Sequence, residues 1–83
     1  MTRQEIGNTV VELIGNNMPG FEHLEYDESA RINTEAGFDS MTFVYIMCKI
    51  EAAFGISIPK RRWEKMSSLG DIIDAVEKEL AKQ

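Results

Sequence analysis

A single cysteine, Cys48, stands in the 83 residues, so no internal disulfide can staple this chain and a reducing, cytoplasmic setting is expected. There is one histidine, His23, and no grouping of Cys and His at metal-ligand spacing. No apolar run approaches the roughly 20 residues needed to cross a bilayer. The opening Met1-Thr2-Arg3-Gln4-Glu5 also lacks the apolar stretch of a signal peptide, so neither a membrane span nor processing is expected. Cations are outnumbered, with nine Lys and Arg against fourteen Asp and Glu and a net charge of -5. That balance argues against nucleic acid as a ligand and favours encounter with basic partners.

What remains is an ordinary globular composition, 43% apolar and 28% charged, in one domain, 1–83, near the lower size limit for a single unstapled core. Thr2 and Glu5 have capping-box spacing, and Ile6, Val10, Leu13 and Ile14 then share a helical face. Gly15-Asn16-Asn17 and Pro19-Gly20 are read as the stop of this first helix. From Phe21 to Phe38 acids alternate with isolated apolar residues without sustained period. That segment reads as an ordered loop pinned by Phe21, Leu24, Tyr26 and Ile32. Asp27-Glu28-Ser29-Ala30-Arg31 lacks the alternating oxygen ligands and central glycine of an EF-hand loop, so no calcium site is assigned.

Ser40 to Phe54 is the second helix, with Asp39 or Ser40 as its N-cap and Gly55 as its stop. Phe43, Ile46, Met47, Ile50 and Phe54 form a core-facing stripe. Met41, Val44, Tyr45 and Cys48 form a second stripe roughly opposite. A protein this small cannot easily bury both. The second stripe is therefore either an exposed patch that meets a partner or a surface packed under the long loop, and the partner reading is preferred. Cys48 by itself reads as a small buried hydrophobe, with no role assigned. Ile56-Ser57-Ile58-Pro59 is an extended link, Lys60 to Met66 offers one or two helical turns around Trp63, and Leu69, Ile72, Ile73, Val76 and Leu80 mark a last helix, capped by Ser68 with Asp71. The fold class is all-α, a small bundle of three main helices plus one short helix.

Gly37-Phe38-Asp39-Ser40-Met41 at the start of a helix resembles the attachment motif of acyl carrier proteins, where an Asp-Ser-Leu or Asp-Ser-Met sequence holds a modified serine. Phe54-Gly55-Ile56-Ser57-Ile58-Pro59 and Ser67-Ser68-Leu69-Gly70-Asp71-Ile72-Ile73 also stand where that family's pattern expects them. The resemblance implies a four-helix carrier fold and a phosphopantetheine arm, taken from coenzyme A, on Ser40. It implies a role for Asp39 in orienting a metal or positive group of the phosphopantetheinyl transferase. It further implies acyl- or aminoacyl-loading and condensing enzymes as partners, which would meet Met41, Val44 and Tyr45, and a monomeric carrier of acyl, polyketide or aminoacyl thioesters.

Fatty-acid carriers usually bear acids along the second helix and after the Ile-Pro link, and use them to meet basic enzymes. Here Thr42 and Tyr45 occupy positions where acids are common, Glu51 is that helix's one acid, and Lys60-Arg61-Arg62 follows Pro59. The difference favours a specialised pathway over housekeeping fatty acid synthesis. A D-alanyl or aminoacyl carrier and an unmodified helical adaptor are the alternatives. An enzyme in its own right is disfavoured, because a serine nucleophile needs a base within reach, His23 has nothing marking it as the partner of Ser40, and adjacent helical positions such as Asp39 and Ser40 do not face each other.

Overall fold

The computed structural model describes residues 1–32 and 40–82. Thr2 Oγ1 accepts from Glu5 N at 3.1 Å while Glu5 Oε1 accepts from Thr2 N at 2.8 Å. This reciprocal cap satisfies two donors that a helix start leaves open, and α1 follows as Arg3–Asn17. Ile6, Val10 and Ile14 are buried along it, with Leu13 partly so. The expected stop at Gly15-Asn16-Asn17 is a correction: the helix runs through all three. Asn17 Nδ2 donates back to Leu13 O at 2.8 Å and Met18 N to Ile14 O at 2.9 Å. Burial of the Met18 side chain favours the extra turn, and the stop falls at the other expected place, Pro19-Gly20, where Gly20 takes a φ of 90°.

Helix α2 spans Ser40–Phe54, α3 spans Lys60–Trp63 and α4 spans Leu69–Ala81. α1 packs against both α2 and α4. Phe43, Ile46, Met47 and Ile50 of α2 join Ile6, Val10 and Ile14 of α1 and Leu69, Ile72, Ile73 and Val76 of α4 in one core, as the apolar periodicity of each helix requires. Gly55 ends α2 in a left-handed conformation, φ 65°, that side chains rarely adopt. At α4, Ser68 and Asp71 form the second capping box. Asp71 Oδ2 accepts from Ser67 N at 3.0 Å and Ser68 N at 3.1 Å, which holds its carboxyl below the usual range.

The connection after α1 is ordered over its described part. Phe21, Leu24 and Tyr26 pack on the core and Ile32 is fully buried. Its backbone runs antiparallel to the approach to α4: Ile32 N donates to Ser67 O at 2.8 Å, Leu69 N to Ala30 O at 2.8 Å, and Gly70 N to Glu28 O at 2.9 Å. Arg31 and Ser68 thereby make an isolated β-bridge. The remainder, including Glu35, Gly37, Phe38 and Asp39, lies outside the described residues.

Arg3 ties this loop to both flanking helices. Its guanidinium grips Glu28 twice, Nη2 to Oε1 at 2.6 Å and Nε to Oε2 at 3.0 Å, while Nη1 reaches Asp74 at 2.8 Å and Glu77 at 3.0 Å. The Tyr26 hydroxyl donates to Glu28 Oε2 at 2.9 Å. Bonds from Arg3, and then from Tyr26, hold the Glu28 carboxyl below the usual range, and bonding to Glu28 pushes the Tyr26 hydroxyl up. The fork geometry suits a carboxylate as a lysine would not.

Two measurements check this packing. A Cβ at residue 7 would fall inside the Tyr26 ring, so Gly7→Ala should cost about 1–3 kcal/mol of overpacking, read as a lower urea midpoint, despite the better helix propensity of alanine. Gly15→Ala, which meets Phe21 O at 3.4 Å and Glu22 O at 3.9 Å, should raise stability by about 0.5–1 kcal/mol. The depressed carboxyls of Glu5, Glu28 and Asp71 bind protons less readily folded than unfolded. Their stabilisation is complete above the unfolded values near 4 and is lost as pH falls below them. A melting-temperature series from pH 7 to pH 3 should therefore fall at its acid end, and less steeply in Glu28→Gln.

Candidate functional site

Burial of Phe43, Ile46, Met47 and Ile50 fixes which side of α2 faces inward, and helical geometry then decides what faces out. Met41 is 78% exposed, Tyr45 50% and Val44 41%. The second apolar stripe is thus open to solvent, not packed under the described part of the connection. Cys48 lies on the same stripe and is exposed, which corrects its reading as a small buried hydrophobe. Its face outweighs the average preference of its residue type. One turn further on, Lys49 Nζ sits 5.4 Å from the centroid of the Tyr45 ring, a cation–π distance.

Ser40 is the first residue of α2, a helix of 15 residues with no acid in its first turn. A helix start carries unsatisfied N–H groups and the positive end of the macrodipole, both of which favour an anion. A phosphodiester on Ser40 would therefore meet no carboxylate from that turn. The first turn of α2 thus suits an anionic group, and Met41 beside Ser40 is exposed apolar surface. Asp39, the other residue expected at this site, lies outside the described residues. His23 is exposed in the loop after α1.

The far side of the site is built by the link and α3. Glu51 Oε2 accepts from Ile58 N at 2.6 Å, fixing the link against α2. Trp63, at the end of α3, meets Phe43 edge-on with centroids 6.3 Å apart. The chain therefore returns alongside α2 from the level of Glu51 to that of Phe43. Trp63 is buried, and its indole Nε1 has no partner among the described residues. A depression of about 250 Å³ lined by Arg62, Lys65, Met66, Asp71 and Asp74 contains none of the expected site residues. Sequence reasoning missed the Glu51 bond, for which seven residues of separation leave no periodic signal. Glu51→Ala should cost about 1.5–3 kcal/mol, the worth of a hydrogen bond to a charged group, read as a lower denaturation midpoint, and Glu51→Gln should restore part of it.

Residues 19–76 match the sequence model of a family described as "Phosphopantetheine attachment site". The chain is 30% identical over 79 residues to a protein of Thermotoga maritima named acyl carrier protein, covering 95% of this chain and 96% of that one. It is 30% identical over 76 residues to an acyl carrier protein of Porphyromonas gingivalis, 92% and 96% covered, and 28% identical over 79 residues to one of Amoebophilus asiaticus, 95% and 98% covered.

Proposed function

This chain belongs to the acyl carrier protein family, with phosphopantetheine as its prosthetic group, and from that premise we propose that Ser40 bears the arm and that the outer face of α2 receives the enzymes that use it. The observation that carries the reading is the pairing of a first helical turn without acids, beginning at Ser40, with the exposed residues Met41, Val44 and Tyr45. The group supplies a thiol on a flexible arm, on which cargo is held as a thioester. The chain's own task is to present that arm from a rigid point. α2 is held by its buried stripe and by the Glu51 bond to Ile58, so Ser40 has a fixed place relative to the docking face. No catalysis is asked of the chain itself; a phosphopantetheinyl transferase attaches the arm and loading and condensing enzymes act on the cargo. Asp39 serves the transferase, as its neighbouring position to Ser40 in the motif implies.

The cargo is an acyl intermediate, in keeping with the names of the relatives. An outer face of α2 with no free acid among its described residues supports a dedicated pathway with enzymes of its own. Ser40→Ala tests the attachment point. It should fold within about 1 kcal/mol of the parent, since alanine is well tolerated in a first helical turn, and should accept no arm from coenzyme A and a broad-specificity transferase. Attachment at another residue would refute the assignment. Tyr45→Glu should lower a partner enzyme's use of the carrier more than it lowers stability; the reverse outcome would make this face structural.

A further inference from the structure

Charge is divided unequally along this acidic chain. Residues 40–66 hold five Lys and Arg against two Glu, whereas the rest hold four against twelve Asp and Glu. Of the two acids in the basic segment, Glu51 is occupied by Ile58 N at 2.6 Å. That leaves Glu64 as the one exposed acid of the segment. Among the cations, Arg62 is paired with Glu79 at 3.3 Å. Lys49 lies against the Tyr45 ring, and Lys60, Arg61 and Lys65 are exposed with no carboxylate at ion-pair distance among the described residues. Lys49 therefore borders the exposed apolar stripe at Tyr45, and Lys60 and Arg61 stand on the segment that returns beside α2 between Glu51 and Phe43.

We propose that the α2–α3 surface docks an enzyme whose contacting face is rich in carboxylates around an apolar centre. The inference rests on the reading of this chain as a carrier that docks through α2. A net charge of -5 repels an acidic partner from most directions and leaves the α2–α3 side as the approach of least repulsion. Complementary charge then acts on encounter rate and orientation, while Met41, Val44 and Tyr45 supply the apolar contact.

The test uses the arm-bearing full chain, its Lys60→Glu/Arg61→Glu variant and a separate Lys49→Glu variant. All three changes lie at exposed positions, and circular dichroism verifies the fold of each. The probe is an acyl transferase whose carrier-docking face is rich in lysine and arginine. At low salt it should use the parent chain about tenfold less efficiently than Lys60→Glu/Arg61→Glu, in the direction and range of electrostatic steering. The gap should close near about 0.5 M salt. Replacing the probe's docking cations by glutamate should reverse the order. Equal use of parent and variants, or a basic probe that prefers the parent, would overturn the inference while leaving the carrier intact. Should the double variant not fold, Lys49→Glu carries the same comparison. If the parent takes no arm at all, the carrier reading and this inference fall together.

Discussion

Burial of the stripe Phe43, Ile46, Met47 and Ile50 is the constraint on which the rest of this structure depends. These side chains, with Ile6, Val10 and Ile14 of α1 and Leu69, Ile72, Ile73 and Val76 of α4, make the single core that so short a chain can build. A helix that commits one face to that core has its opposite face set by geometry. In α2 the opposite face is also apolar, through Met41, Val44, Tyr45 and Cys48. The core is closed without it, and the exposed apolar patch it leaves is the kind of surface that partners use.

The same constraint explains the polar bonds that surround it. α3 is only four residues long, too short to hold itself by helical bonding, and it is kept in place by Glu51 on Ile58 N and by Trp63 on Phe43. The loop after α1 sets Phe21, Leu24, Tyr26 and Ile32 on the core but has no helix of its own over its described part. It is fixed by backbone bonds to residues 67–70 and by the grip of Arg3 on Glu28, with Asp74 and Glu77 on the other side of the guanidinium. These attachments tie α3 and the loop to the three main helices.

Local chemistry made much of this legible in advance. Both capping boxes, Thr2 with Glu5 and Ser68 with Asp71, act over three residues and read directly from spacing. So do the two stripes of α2 and its end at Gly55. Of the two stop signals after α1, Pro19-Gly20 acts and Gly15-Asn16-Asn17 does not, because a Gly-Asn-Asn run stops a helix only where nothing is gained by continuing, and here another turn buries Met18. Cys48 departs from the preference of its residue type because its place on the outer stripe puts it at the surface. The Arg3 cluster has no sequence signature, since Glu28 and Glu77 lie 25 and 74 residues away and Asp74 is nearly as remote as Glu77. Neither did the withdrawal of Glu51 from the outer face, which alters the charge that a partner meets. At the candidate site, Ser40 and its apolar neighbours were legible because a helix start and a helical period are local; the charge environment around them was not, because it depends on how α3 folds back.

The central claim is that Ser40 is the point from which this carrier presents its arm. The direct measurement is the peptide-resolved mass of the wild-type chain after incubation with coenzyme A and a broad-specificity phosphopantetheinyl transferase. One phosphopantetheinyl group on the peptide containing Ser40, localised to that serine by fragmentation, is the predicted result. A group on any other residue, or none on a folded sample, would contradict it.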